Sequence, residues 1–560
     1  MTIPQKLARL MMYDKEDRPW AGMRLFSSAI IGHTTPTTTK IWVRVHKAGT
    51  YVLFLSETPV DTSRQPRLAD GETVKLHGVE EGEKETSLGG VIVSKANITL
   101  ETDLTHVFNI KGLNPGTTYN YAVFAHKDAD GNRRENWEIG RDSPLSFKTP
   151  PKNPDSVAFG LYSCHMPFNG RSVNNLHMWD HFYDALKDYG ADFVLGAGDQ
   201  VYSDGDGRVS IWDYLKARKD EVAALTKDER IAVMTSWYRD IYRGYWGDIK
   251  LRRVMRSFPN YMVWDDHEIM DGWGSYSEKE LSQHLDTVWE WEDKEKNLLL
   301  AFDMFEAAKK VYREYQHEHN PSTENDQWDY IFDWGPFRYF VLDMRGQRDL
   351  EDKARYKILG YSQYLRFKRW IESRKSNRAA ALFVVSPVPV VHLKDFVLNW
   401  LDLPALGLAD DLRDEWEHEE HGRELNLLLE LVFDYSHKTG KPVVFLSGDV
   451  HVGAAFKLSR RNQRNAQVFQ LTSSGITYCK SPGRLLKLIV KTNGEIENTR
   501  EPKVTYQRLH VLAENNFGIV RGSKKQGKGL ELYWDLYGNG SSEEEIVKLK
   551  RIPLVGGAGG

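Results

Sequence analysis

The stretch VAFGLYSC (Val157–Cys164), together with the 35 residues after it, decides the fold. An apolar run of strand length ends there in Ser163 and Cys164. Next comes SVNNLHMWDHFYDALKDYG (Ser172–Gly190), in which Leu176, Trp179, Phe182 and Leu186 recur at helical spacing. Ser172 is placed to cap that helix and Gly190 to stop it. Then ADFVLGAGD (Ala191–Asp199) supplies a second buried strand. Strand, helix and strand in this order predict a parallel pair with a helical crossover. Further runs of the same kind are YMVWDDH (Tyr261–His267), FRYFVLDMR (Phe337–Arg345), ALFVVSPVP (Ala381–Pro389), PVVFLSGDVH (Pro442–His451) and VFQLTSSG (Val468–Gly475). Long charged, Trp-rich helical segments separate them, so the large unit is expected to be α/β.

Upstream the pattern differs. TKIWVRVH and YVLFLSE alternate apolar and polar residues, and Asn114-Pro115-Gly116 and DADGN (Asp128–Asn132) read as turns. Short strands at regular spacing predict a smaller all-β sandwich, fibronectin III-like in type, closed by the Pro-rich LSFKTPPKNPDS. The expected layout is an N-terminal extension over 1–24, a β-sandwich over 25–150, a catalytic domain with helical insertions over 151–545, and a flexible tail over 546–560.

The chain has 560 residues, more than one core accommodates. Its net charge of -4 gives no electrostatic argument for nucleic acid. The two cysteines, Cys164 and Cys479, exclude a disulfide framework and favour a reducing compartment. No apolar stretch is long enough for a transmembrane helix, and the start carries no signal-peptide pattern. The expected location is the cytoplasm, or outside it had a leader been removed. Oligomeric state is not legible.

The chemistry lies at the carboxyl end of each apolar run. Ser163-Cys164-His165, Gly198-Asp199 with Tyr202 and Asp204, Asp265-Asp266-His267-Glu268, Asp343 with Arg345, and Gly448-Asp449 with His451 each come directly after such a run. Sites assemble at the carboxyl edge of α/β strands, so these side chains are expected to converge. Converging carboxylates repel one another, and a multivalent cation relieves the repulsion. Two cations roughly 3.5–4 Å apart suit displacement at phosphorus. Thiolate and phenolate beside carboxylate and imidazole favour ferric iron, and an oxygen-rich second position suits a calcium-like ion. A zinc-containing pair ranks second, with manganese and magnesium as further alternatives for the second ion.

GDQVYSD (Gly198–Asp204) resembles the Gly-Asp-x-x-Tyr motif of purple acid phosphatases. WDDHE (Trp264–Glu268) stands where metallophosphoesterases carry Gly-Asn-His-Glu, GDVH (Gly448–His451) where they carry Gly-His-x-His, and SC before HMP replaces their first Asp-x-His. Together these replacements resemble the alkaline phosphatase D (PhoD-like) family, over roughly Leu25 to Gly538. The resemblance implies a metallophosphoesterase-type mixed β-sandwich flanked by helices. It implies a metal pair with Asp199 bridging the two, for which the ligand types rank Fe3+ plus Ca2+ first. Cys164, Tyr202 and His451 would ligate iron, and Asp449 one of the two ions. Asp266 would replace the Asn ligand, and Asp271, in IMDGWG, would substitute on the second ion. His267 would contact the phosphate or protonate the leaving oxygen, and Arg345 would clamp a phosphate oxygen. From the residues alone, Arg345 equally suits a structural bridge to Asp343, and Asp265 suits orienting His267.

The function expected is hydrolysis of phosphate mono- or diesters on a phosphorylated organic substrate, by metal-hydroxide attack at phosphorus. The alternative is an inactive scaffold that keeps the fold. The superfamily's lone His has no clear counterpart, since VVSPVP offers Ser386 and the nearby His392 is a poor candidate. Glycoside hydrolysis by paired carboxylates would leave Cys164 and Tyr202 unexplained.

Overall fold

The structure is a computed structural model. It describes Leu7, Leu10 and residues 24–556, apart from 64–66, 69–73, 76–91, 142–143, 170–171, 174, 206–209, 352–354, 392–415, 479–492, 525–526, 528 and 540–545. Most of the 1–24 extension, His392, Cys479 and the last four glycine-rich positions therefore lie outside the described residues.

The N-terminal strands form two sheets. Strands β1 (Ser28–Thr34), β2 (Thr38–Arg44) and β5 (Thr105–Lys111) make one, in the order β1-β2-β5. The other contains β3 (Gly49–Ser56), β4 (Ile92–Ile98), β6 (Thr118–Asp128), β7 (Arg133–Ile139) and β8 (Leu145–Lys148), ordered β8-β6-β3-β4 with β7 on β6. Ile31, Ile41 and Val43 from the first sheet share a core with Leu53, Tyr121 and Val123 from the second. The outward side of β2 is apolar too. Trp42 is buried against Trp246 and Tyr315, at ring distances of 6.4 and 5.6 Å, and its Nε1 donates to Glu314 O at 2.7 Å. This sandwich is therefore wedged into the large unit.

The large unit is built on two further sheets. The first contains β9 (Ser156–Tyr162), β10 (Phe193–Ala197), β11 (Asn260–Val263), β20 (Asn516–Lys524), β21 (Leu530–Asn539) and β22 (Ile546–Val555). Its order is β11-β10-β9-β20-β21-β22, with β9, β10 and β11 parallel and the rest antiparallel. The second contains β12 (Tyr330–Trp334), β13 (Phe337–Val341), β14 (Ala381–Val385), β15 (Pro442–Ser447), β16 (Gly453–Arg460), β17 (Gln467–Ser473), β18 (Asn493–Glu495) and β19 (Val504–Leu512). It is ordered β12-β13-β14-β15-β17-β16-β19-β18, parallel across β13, β14, β15 and β17.

The sheets face each other through aromatic rings. Tyr261 stacks on Phe332 at 3.9 Å, and Phe159 meets Phe383 edge-on at 5.5 Å. The alternate residues Leu382, Val384, Val443 and Phe445 pack outward with Phe367, Trp370, Leu425 and Leu428 of α7 (Gly360–Ile371) and α8 (Gly422–Thr439). Burial on both faces is why these strands read as continuous apolar runs rather than alternating ones. The mixed α/β class is as expected.

Helix α1 (His177–Asp188) joins β9 to β10 and buries Met178, Trp179, Phe182 and Leu186. It begins after Ser172, because Ser172 is drawn into a short antiparallel pairing with Asn169. The helical insertion carries α2 (Ile211–Ala223), α3 (Lys227–Tyr245) and α4 (Ile249–Met255), followed beyond β11 by α5 (Glu278–Trp289) and α6 (Lys294–Tyr315). The tail expected over 546–560 is not a tail through Val555. Residues 546–555 form β22 along β21, where backbone pairing to an existing edge gives them a partner. Among the described residues no helix is long and apolar enough to cross a membrane.

Candidate metal centre

Strands β9, β10 and β11 of one sheet and β13 and β15 of the other end at a common edge. Two glycines permit the approach. A Cβ on Gly448 would lie 2.3 Å from Ala197 O and 2.5 Å from Ser163 Oγ. Gly198, at φ +94, lies against Asp265, and a Cβ there would meet that side chain at 2.8 Å. The chain then turns sharply. Cys164, Asp199, Asp449 and His451 all adopt left-handed φ values, between 53 and 67 degrees. Such backbone costs on the order of 1–3 kcal/mol per residue and persists where surrounding structure enforces it.

These turns bring most of the expected side chains together. Cys164 Sγ lies 3.2 Å from Asp199 Oδ2, and the Tyr202 hydroxyl lies 3.4 Å from the same oxygen. Asp199, Asp266 and His267 each offer one ligand atom within 4.8 Å of the others, and so do Asp199, Asp265 and Asp449. His451 enters differently. Its backbone N–H donates to Ser474 Oγ at 2.8 Å, Ser474 Oγ lies 3.0 Å from Cys164 Sγ, and its ring packs on Tyr478 at 4.6 Å. Asp271 is grouped with Asp204 and His267, not with Asp199.

The floor of this cluster is sealed. Cys164 and Asp265 show no exposure and Asp199 shows 1%. Burial, and then the carboxylates of Asp266, Asp265, Glu268 and Asp449, push the Asp199 carboxyl well above its ordinary range. Burial followed by Asp199 does the same to the Cys164 thiol and the Tyr202 phenol. Asp199 Oδ1 is buried and accepts no hydrogen bond among the described residues. A buried carboxylate oxygen facing other carboxylates, without a donor, is the environment a cation completes. A thiol, a phenol and several carboxylates around that oxygen therefore fit a multivalent metal.

Two groups hold the loops in place. Glu268 accepts from Gln200 N (2.7 Å), Gln316 Nε2 (3.0 Å), Asp199 N (3.2 Å) and Asp265 N (2.8 Å), tying the tips of β10 and β11 together. Burial raises its carboxyl to about 7 against the pull of those donors. Arg345 is the second. The expected clamp on a phosphate oxygen does not match its placement. Its side chain has no exposure, its Nε donates to Asp265, its Nη1 donates to Trp273 O at 2.9 Å, and its Nη2 lies 3.4 Å from Asp266 Oδ1. Nor does its guanidinium bridge to Asp343, whose Oδ1 accepts from the backbone N–H of Arg345 at 3.0 Å and from Trp264 Nε1 at 2.8 Å. Arg345 orients carboxylates from beneath.

His267 lies nearer the opening, with 19% of its side chain exposed, and leans over the Tyr202 ring at 4.1 Å. Its Nδ1 meets Asp204 Oδ1 at 2.8 Å. The residue that orients this imidazole is thus Asp204, while Asp265 is engaged by Arg345. Burial works to lower the His267 pKa, yet Asp204, Asp266 and Asp271 raise it well above its ordinary value. The sequence places Asp204 and Glu268 among the converging strand-tip residues without a specific role, and it does not single out Ser474. The signal available for Asp204 was its place in Gly198–Asp204, at the same strand tip as Asp199 and Tyr202.

Comparison with known proteins bears on the fold and the family. Uncharacterized protein YGR266W of Saccharomyces cerevisiae is 25% identical over 346 residues, 51% of this chain and 48% of the yeast protein. The chain thus spans about half the length of that curated relative. The solved structure of PhoD aligns with a TM-score of 0.56 at 15% identity, covering 95% of this chain and 93% of the other, which shows a shared fold. Residues 159–523 match the family model for PhoD-like phosphatases, and the chain belongs to that family.

Proposed function

We propose that this chain hydrolyses phosphate mono- or diesters at a centre holding two or more cations, Fe3+ and Ca2+ in first place. Membership of a metal-dependent phosphatase family supports a phosphoesterase-type activity. The observation that carries the reading is the buried, donorless Oδ1 of Asp199 amid Cys164, Tyr202 and Asp266. Asp199 is assigned the bridge, Cys164, Tyr202 and His451 the iron side, Asp266 the second ion, and Asp449 either ion. Asp271 belongs to the rim with Asp204 and His267. When bound, the cations supply charge for the nonbridging phosphate oxygens and lower the pKa of a water molecule.

The protein's own groups do the rest. Asp204 accepts the Nδ1 proton of His267, which fixes the tautomer and leaves Nε2 to face the ester. Asp204 works against burial to raise the His267 pKa and so favours the protonated ring, the state needed to give a proton to the departing oxygen. Arg345 and Glu268 hold Asp265, Asp266 and the Asp199 turn in position. The test is hydrolysis of p-nitrophenyl phosphate and bis-p-nitrophenyl phosphate before and after chelation. Activity that chelation abolishes and iron plus calcium restore is expected. Metal-loaded protein inert toward both esters contradicts the proposal and favours the scaffold reading.

A further inference from the structure

A second recess lies outside the metal centre, where the loop after Arg345 enters α7. It is a groove of about 460 Å³ lined by Arg355, Tyr356, Tyr361, Tyr364, Leu365 and Lys368. The Tyr356 ring lies 5.2 Å from that of Tyr361 and 5.3 Å from that of Tyr364, tilted by 51° and 34°. The three rings form a cradle rather than a closed stack. Tyr361 is 56% exposed, so its ring is open to a ligand. Arg355 lies over Tyr356 at 5.4 Å, and neither it nor Lys368 makes an ion pair among the described residues. The carboxylates bearing on Tyr364 are Glu372 and Glu430, and Glu430 lies 3.8 Å from Arg500.

The groove is preformed. Glu424 of α8 is buried and accepts from Ile358 N at 2.8 Å and Leu359 N at 2.9 Å, which pins the wall that carries Arg355 and Tyr356. Asp349 N donates to Lys357 O at 2.9 Å and closes the same loop. An aromatic cradle with Arg355 and Lys368 at its rim, neither held in an ion pair among the described residues, suits a flat ring that carries negative charge.

We propose that this groove binds a small anion bearing an aromatic ring, with the ring among Tyr356, Tyr361 and Tyr364 and the anion at Arg355 and Lys368. The inference rests on the groove alone, so a chain inert as a phosphoesterase would still bind. Phenylphosphonate is a suitable probe, because its carbon–phosphorus bond is not an ester. Calorimetry on the full chain is expected to find two phenylphosphonate sites per chain, one at the metal centre. Tyr361→Ala, and Arg355→Ala with Lys368→Ala, are each expected to weaken the groove site at least tenfold while leaving turnover of p-nitrophenyl phosphate unchanged. Methylphosphonate, which has the anion without the ring, and cyclohexylphosphonate, which has a puckered ring, are expected to bind the groove at least threefold more weakly than phenylphosphonate. Because Tyr361 is exposed, its variant should unfold at the wild-type temperature. No phenylphosphonate site remaining once the metal centre has been chelated, groove variants within twofold of the wild type, or equal affinity for all three phosphonates would overturn the proposal.

Discussion

Two buried clusters of charge in this molecule solve one problem in opposite ways. At the junction between the N-terminal sandwich and the helical insertion, Asp103 meets Arg243 Nη1 at 2.5 Å, Arg44 Nε at 3.3 Å and the Tyr315 hydroxyl. Burial works to raise its carboxyl, but the two guanidinium groups and the phenol hold it below its ordinary value. At the strand tips Asp199 is buried as deeply among further carboxylates, and its carboxyl is pushed well up. Arg345, the cation beneath that cluster, is bonded to Asp265 and Asp266 and not to Asp199. The junction is balanced by its own residues. At the strand tips no cation pairs with Asp199, which leaves its carboxyl to hold a proton or to take up an external cation.

The sharpest way to break this contrast is to delete the central carboxylate on each side. Asp199→Ala is expected to lose bound metal, seen by elemental analysis, and activity with it, while the fold survives. Asp103→Ala should leave metal content unchanged and destabilise the chain by about 1–3 kcal/mol in denaturant unfolding, because Arg44 and the half-buried Arg243 lose a shared carboxylate while Arg243 keeps Asp240 and Arg44 keeps its backbone acceptors. If Asp199→Ala behaves like Asp103→Ala, the strand-tip cluster is structural. His267→Ala is expected to keep the metals and lower kcat by roughly 10²–10⁴-fold. Asp204→Asn should lower kcat by roughly 10–100-fold with metals retained, as for a group that orients another.

The pH dependence is the gentlest test, and its sign differs between the clusters. Asp199 and Glu268 have folded pKa values above their ordinary 3.8 and 4.5, reaching about 7 for Glu268. Their protons stabilise the metal-free fold fully below those ordinary values. That stability is lost as pH rises through the raised folded values, about 7 in the case of Glu268. Chelated protein should therefore melt lower at about pH 8 than at about pH 5.5, and metal should remove the difference, with protons released on loading. Asp103, held below 3.8, contributes above that value and loses its contribution only on acidification through its lowered folded pKa.

The metal side of this comparison was legible in the sequence, because an apolar run ending in Cys164, Asp199, Asp266 or Asp449 places a polar group at the tip of a strand. Arg345 was not legible, since its partner Asp265 lies 80 residues away and sequence does not show which carboxylate a guanidinium faces. The β22 strand was masked by the glycines after it, and it exists because β21 offers an edge. The junction was invisible for the same reason as Arg345. Asp103 sits in a turn of the sandwich, and its cation Arg243 comes from a helix 140 residues further on.

Elemental analysis of freshly purified protein tests the balance of charge most directly. The account predicts two or more metal ions per chain, iron and calcium foremost, all lost in Asp199→Ala and none lost in Asp103→Ala. A wild-type chain that carries no metal and takes up neither ion on addition would contradict it.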